Sequence, residues 1–196
     1  MDMKAMAVKQ REDMLRSKWI ESEKAGRDLG EKFLVEWPKK YGEGWRVGFY
    51  MENLMDLGDG RRPVYFAIFL DQESADRLKE AVAGIVPEGW KTLCHHCTLS
   101  FGDPSENKPL FEYIVWNLGK TVEIDVVTLG TSDDAIAVGV SGSLVTANAI
   151  PHVTVAIPPE GKPVNSNKIE NWELFPTNLK LKGVVDSFPS HFKWQH

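Results

Sequence analysis

The segment 93–101 reads LCHHCTLSF and places two adjacent histidines inside a C-x-x-C frame. Taken alone, it can be half of a zinc site, a redox dithiol, or half of a catalytic pair whose other half lies elsewhere. The run WKTLCHHCTLSFG has the character of a strand and is followed by the turn-forming residues 102–104. Because side chains alternate faces along a strand, His96 and Thr98 are expected to share one face.

A second strand-like run, IPHVTVAIP, repeats the H-x-T pattern. The same alternation places His152 and Thr154 on one face and Val153 and Val155 on the other, which faces the core. One histidine beside one threonine in a strand is most often a structural, hydrogen-bonded residue. Two matching strands in one small domain instead favour a joint site, in which each strand presents an imidazole and a hydroxyl.

The two cysteines fit a metal or redox site less well. In an uninterrupted strand, Cys94 and Cys97 point to opposite faces, so they cannot share one zinc ion or form a disulfide without a bend. A structural zinc site needs about four ligands, and the sequence has no second C-x-x-C. A redox dithiol usually opens a helix, where the dipole lowers the thiol pKa. We therefore predict no metal and no cofactor, and a purely structural His95 that points away from the site.

Two imidazoles that face one cleft can act as general base and general acid. The ordinary histidine pKa of about 6.5 populates both protonation states at neutral pH. Such a pair suits in-line attack on a phosphodiester, with the hydroxyls of Thr98 and Thr154 donating hydrogen bonds to the phosphate oxygens. This scheme needs no metal ion. It leaves open which histidine is the base and which is the acid.

The motifs HCTL (96–99) and HVTV (152–155) resemble the paired motifs of the two-histidine phosphoesterase superfamily. The order of elements also resembles that of its LigT-like members: strand VYFAIFLD, helix QESADRLKEAV, strand HHCTLSFG, a strand pair around VVTLGTSDDAIAVGV, and strand PHVTVAI. With the later GKPVNSNKI, the chain most resembles the cyclic phosphodiesterase domain of fungal tRNA ligases and related free-standing proteins. The resemblance covers roughly residues 63–170.

The resemblance implies an α+β fold that is bilobal, with two antiparallel β-sheet lobes and outer helices around a central cleft. It implies hydrolysis of 2′,3′-cyclic phosphates, or of 2′-linked phosphodiesters, of RNA ends or nucleotides. His96 and His152 are then the acid–base pair, and Thr98 and Thr154 bind the phosphate. Two alternatives stay open: a phage-type nuclease that degrades cyclic oligonucleotide immune signals, and a non-catalytic nucleotide-binding module.

Four further residues are candidates for substrate binding. Tyr65, in the first strand, can stack on a base or contact phosphate, although a tyrosine in an aromatic strand is more often part of the core. Lys162, Asn165 and Ser166 follow the second motif in a polar loop that can close over a substrate. A solvated turn is an equally good interpretation of this loop.

The chain is expected to consist of an N-terminal helical extension and connector (1–60) and a phosphoesterase domain (61–196). Within the extension, the apolar residues of segment 3–36 recur near helical spacing, which predicts one or two amphipathic helices. These are expected to break around Gly26 or Gly30 and to end before Pro38. The glycine- and aromatic-rich sequence that follows predicts an irregular connector.

Composition excludes some classes of partner. The chain has 196 residues and a net charge of -5, which disfavours binding of long nucleic acid, including double-stranded DNA, but not of a small anion. No segment approaches the roughly 20 apolar residues of a membrane span, and residues 1–24 lack the apolar centre of a signal peptide. We expect a cytoplasmic protein with no membrane partner. The oligomeric state is not indicated.

Overall fold

The computed structural model describes residues 3–57 and 60–190, with side chains from residue 6 onward. The chain divides into two units, one within residues 1–62 and the other spanning Pro63–Ser190. This division falls close to the boundary predicted at residues 60 and 61. The predicted phosphoesterase domain extends to residue 196, but residues 191–196 lie outside the described part. None of the described helices has the length and apolar character that crossing a membrane requires.

The first unit contains two helices, α1 (Met3–Ala25) and α2 (Gly30–Asn53). The break between them lies where the sequence predicted it. Gly26, directly after α1, has a φ of 63°, a conformation that glycine adopts without steric cost. The helices are connected by a hydrogen bond of 3.0 Å from Trp45 Nε1 to Asp13 Oδ2.

The expectation that the helical segment ends before Pro38 is wrong. Helix α2 contains Pro38 and continues through most of the predicted connector. A proline inside a helix removes one backbone hydrogen bond and costs about 3 kcal/mol. Burial of Trp37, Val47 and Tyr50 along α2 favours the helix in compensation, at roughly 1.5–3 kcal/mol for each large apolar side chain. Helix α1 is not amphipathic in the expected sense, because apolar residues such as Trp19 are exposed.

The second unit alternates strands and helices in the predicted order: β1 (Tyr65–Leu70), α3 (Gln72–Val82), β2 (Lys91–Thr92), β3 (His96–Phe101), α4 (Lys108–Asn117), β4 (Thr121–Thr131), β5 (Ile136–Ser141), β6 (His152–Ile157), a 3-10 helix (Pro163–Lys168) and β7 (Trp172–Phe188). The described strands form one antiparallel sheet in the order β2-β6-β3-β1-β7-β4-β5. An additional pairing of β5 with β6 closes the sheet on itself. The α+β class is confirmed.

The expected division into two separate β-sheet lobes is not observed, because β7 joins both halves of the sheet. This strand has 17 residues. It pairs with β1 through residues 183–188 and with β4 through residues 172–184. Within its sequence, only the second half, LKLKGVVDSF, has the character of a strand. Pro176 lies in a register irregularity between the two halves, and it interrupts the alternation by which strands are recognised.

Helix α3 packs against the sheet next to the strand that it follows. Asp71 caps its start by accepting a hydrogen bond of 2.7 Å from Ser74 N. The Ser74 hydroxyl in turn accepts a hydrogen bond of 2.8 Å from Lys182 N on β7, while Leu78 and Val82 are fully buried. The strand-helix unit predicted for this segment is thus confirmed, and it holds β1 and β7 in place beside the site.

Candidate active site

The two H-x-T motifs lie on β3 and β6, which are neighbours in the sheet. Cys97 pairs with Val153 across the seam between these strands, and both side chains are fully buried. The residues that flank this pair point to the other face. In an antiparallel pair, the histidine of each motif therefore lies next to the threonine of the other.

All four motif side chains open into one cavity of about 400 Å³. Tyr65, which the sequence suggested as a candidate for substrate binding, also lines this cavity. Within the described part of the chain, no Asp, Glu, Lys or Arg lines it. Among the lining residues, the histidines His95, His96 and His152 are therefore the only ones that can become positively charged on protonation.

The imidazole of His96 is held by aromatic rings. The Tyr65 ring stacks on it with a centroid distance of 5.3 Å and an interplanar angle of 25°, and the Phe69 ring lies 5.5 Å away. Burial, together with the nearby imidazoles of His95 and His152, lowers the pKa of His96 to about 4. At neutral pH His96 is thus uncharged and has a nitrogen lone pair that can accept a proton.

The imidazole of His152 is oriented by the backbone. Its Nδ1 lies 2.8 Å from the carbonyl oxygen of Ile150. Because a carbonyl can only accept, Nδ1 carries the hydrogen and Nε2 is left for proton exchange. Burial lowers the pKa of His152, but the Ile150 carbonyl stabilises the cation and opposes this shift. The Trp172 ring also packs against the imidazole, with 6.2 Å between the two ring centroids.

The two threonine hydroxyls differ in their hydrogen bonds. Thr154 Oγ1 lies 2.8 Å from Ser166 Oγ, which donates its own hydrogen to the Pro163 carbonyl at 2.9 Å. A serine hydroxyl has only one hydrogen, so Thr154 must be the donor to Ser166. Among the residues that the structure describes, none forms a hydrogen bond with the Thr98 hydroxyl. Its hydrogen is therefore free for a ligand.

Phe101 reaches the cavity through a β-bulge that the sequence does not reveal. Tyr65 pairs with Phe101 and Ala67 pairs with Thr98, which leaves one extra residue in β3. The bulge turns Phe101 to the face of the H-x-T side chains, whereas simple alternation would place Ser100 there. Ser100 is instead buried.

Asn148 is a second lining residue that the sequence does not reveal. It lies in the loop between β5 and β6, which runs alongside β3. Thr146 Oγ1 donates to the Thr98 carbonyl at 2.9 Å, and Ala147 N donates to the Leu99 carbonyl at 2.7 Å. These bonds bring Asn148 to the cavity wall. The small-residue segment SLVTANA contains no periodic signal from which this could be predicted.

Comparison with known proteins finds similar chains among solved structures. No family model and no curated protein matches the chain. A crystal structure of a fungal RNA kinase is similar to it with a TM-score of 0.47 and 13% sequence identity. The match covers 89% of this chain and 55% of that chain. The chain thus spans about half the length of the structure that it matches.

The loop after β6 reaches the cavity only in part. Ser166, in the 3-10 helix, is buried and bonded to Thr154, and it does not line the cavity. Lys162 and Asn165 do not line the cavity, and Asn165 N donates to the Lys162 carbonyl in a turn. Their positions give no support to the predicted role in substrate binding. Asn167 lines the cavity instead.

The predicted orientation of His95 is wrong. The strand is interrupted between Thr92 and His96, and Cys94 has a φ of 57°, in the left-handed region. This conformation breaks the alternation of faces on which the prediction depended. His95 is consequently exposed and lines the cavity.

The same interruption invalidates the parity argument for the cysteines. Cys94 and Cys97 are both fully buried free thiols. Burial raises the pKa of Cys94 to about 11 and that of Cys97 to about 12. Both thiols are thus protonated at neutral pH, the form that neither binds metal nor attacks a disulfide. Among the described residues, no three His, Cys, Asp or Glu side chains come together as a metal site would require.

Proposed function

We propose that this protein is a metal-independent phosphodiesterase that hydrolyses 2′,3′-cyclic phosphates, or related 2′-linked phosphodiesters, of RNA ends or nucleotides. The observation that carries the proposal is the convergence of two His and two Thr side chains on one cavity. A phosphodiester has a single negative charge, which one imidazolium can neutralise. A polyphosphate would call for Lys or Arg, and the described wall contains neither.

In the proposed reaction His96 is the general base and His152 is the general acid. His96 removes a proton from water, whose oxygen attacks phosphorus. The bond from phosphorus to a ribose oxygen then breaks, and His152 gives its Nε2 proton to that oxygen. Exchange with solvent returns each histidine to its starting state. The surroundings favour this assignment, because His96 has a pKa of about 4, whereas a carbonyl supports protonation of His152.

We expect the Thr98 hydroxyl to contribute more to catalysis than the Thr154 hydroxyl. Thr98→Val should lower kcat/KM by about 10- to 100-fold, since it removes a free donor to a charged phosphate. Thr154→Val should cost less than about tenfold, because its hydrogen is already donated to Ser166. The two isosteric variants serve as controls for each other in initial-rate assays. A larger loss for Thr154→Val would contradict this order.

We expect kcat/KM to follow a bell-shaped pH profile with its maximum on the acidic side of neutrality. The reactive free enzyme has neutral His96 and protonated His152. Activity therefore falls as the pH drops through the His96 pKa of about 4. It also falls as the pH rises through the His152 pKa, which burial lowers from its ordinary value of 6.5. Initial rates, with circular dichroism as a control for unfolding, would show this; a maximum at alkaline pH would refute the assignment.

A substrate panel in excess chelator tests the proposed function. The panel contains 2′,3′-cyclic mononucleotides, cyclic-phosphate-ended RNA, 2′,5′-linked oligoadenylate and cyclic dinucleotides. Products are identified by mass and by the position of the phosphate. We expect turnover in the presence of chelator, with a phosphomonoester as product. Activity that chelator abolishes and that survives in both His96→Ala and His152→Ala would disprove the proposal.

A non-catalytic nucleotide-binding module is the second candidate, and one observation favours it. Burial lowers the pKa of both His96 and His152, so the cavity without ligand holds few protons for an acid catalyst at neutral pH. Calorimetry with the same panel separates the two functions. Stoichiometric binding of a ligand that is recovered unchanged after long incubation would support the binding module.

A further inference from the structure

A row of three stacked rings leads away from the candidate site across the sheet. The Tyr65 ring stacks on His96 at 5.3 Å and on Phe188 at 5.4 Å, with interplanar angles of 25° and 15°. The three residues lie on the adjacent strands β3, β1 and β7, and Tyr65 is the direct strand partner of Phe188. Each ring therefore continues the stack by one step, outward from the imidazole of His96.

The outer end of this row is open to solvent. The Phe188 side chain is 53% exposed. Its strand pairs with β4 only as far as Val184, so no described strand lies beside Phe188 on its outer side. Phe101, the partner of Tyr65 on β3, is 78% exposed and lines the cavity. Nucleobases stack on exposed aromatic rings in a series of this kind, and this stacking depends little on the nucleotide sequence.

We propose that Phe188 is a stacking subsite for the base of the nucleotide before the reacting one, and that the enzyme prefers oligonucleotide ends to mononucleotides. This inference rests on the proposed function, which places the cyclic phosphate at His96. The terminal base then lies near Tyr65 and Phe101, inside the cavity. The next base continues the stack on Phe188. A nucleobase is the favoured occupant because the row is continuous with the site and consists of parallel rings.

The test compares three substrates: a 2′,3′-cyclic mononucleotide, a dinucleotide with a terminal cyclic phosphate, and the same dinucleotide with an abasic first residue. The wild-type protein should prefer the intact dinucleotide by about 10- to 100-fold in kcat/KM, the usual effect of one base–aromatic stack. The abasic substrate should lose that preference. Phe188→Ala should lose it too, whereas Phe188→Tyr should keep it. Leu174→Ala, which removes an 86% exposed side chain of the same strand, is the matched control.

The outcomes separate this inference from the proposed function. Equal kcat/KM for all three substrates would eliminate the subsite but would not contradict the proposed phosphodiesterase activity. The subsite would also be eliminated if Phe188→Ala lost the preference for the dinucleotide while the abasic substrate kept it. In that case Phe188 would affect catalysis by stabilising the fold and not by stacking on a base. If no substrate turns over, the proposed function fails, and calorimetry with a dinucleotide bearing a terminal 2′-phosphate reads the subsite separately. Affinity at least about tenfold weaker in Phe188→Ala would support it, and unchanged affinity would eliminate it.

Discussion

Replacement of His96 or His152 by alanine is expected to lower kcat/KM for a 2′,3′-cyclic substrate by about 100- to 10 000-fold, the usual contribution of a positioned general acid or base. The two imidazoles share one cavity whose described wall has no carboxylate and no lysine that could replace them. Each variant would retain the Thr98 hydroxyl as a donor to the phosphate but lose one proton transfer. Initial rates under subsaturating substrate measure this effect.

Two controls make the histidine prediction specific. His95→Ala removes an exposed imidazole from the same cavity and should cost less than about tenfold, since His95 takes no part in proton transfer. The double variant of His96 and His152 should be about as inactive as either single variant, because residues that act as a unit are not additive. Unchanged thermal unfolding would show that the fold is intact. If His95→Ala were as damaging as His96→Ala, the assignment of the pair would be wrong.

Gly183→Ala is expected to lower the free energy of unfolding by about 2–4 kcal/mol, which is at or above the usual range for an overpacked core. Gly183 lies in β7 between two strands, paired with Leu70 on one side and Val122 on the other. A Cβ there would lie 2.5 Å from the Phe69 carbonyl oxygen and 2.7 Å from Ile68 Cγ2. Backbone atoms of a paired strand cannot move aside without loss of hydrogen bonds in the sheet.

Thermal or urea unfolding of the full chain measures this effect, with a fall in Tm of roughly 5–15 °C. Gly84→Ala is the matched control, because no atom lies within 4 Å of its Cβ position, and it should leave Tm almost unchanged. Gly183→Ala should also reduce catalysis, because Phe69, whose backbone the new methyl group meets, packs its ring against His96. A stability equal to that of the wild type would show that β1 and β7 are not held as closely as the structure indicates.

Much of the second unit could be predicted from the sequence, because its strands have strong local signals. PVYFAIFLD and the two runs around residues 130–134 alternate or concentrate β-branched and aromatic residues, and all three formed strands as expected. The first unit was harder to predict. The glycines and aromatic residues after Pro38 have a weak local preference for helix, so the length of α2 depends on burial of Trp37, Val47 and Tyr50.

The site was predictable to the extent that it depends on strand alternation. Within β3 and β6, successive side chains point to opposite faces of the strand. The shared face of His96 and Thr98, and of His152 and Thr154, therefore follows from their spacing alone. Predictions failed where the backbone departs from that period. The left-handed Cys94 turns His95 into the cavity, and the bulge in β3 does the same for Phe101.

The sequence by itself determined which side chains carry the proposed chemistry, because residue type and strand period are properties of a few consecutive residues. Only the tertiary structure decided how those side chains are tuned. Pairing of β3 with β6 within the closed sheet places both imidazoles where burial lowers their pKa. Contacts with Ile150 and Ser166 distinguish the proposed acid from the proposed base and one threonine from the other. Burial depends on strands far apart in the chain, and these hydrogen bonds depend on the conformation of the segments on either side of the second motif, so the short motifs contain no information about either.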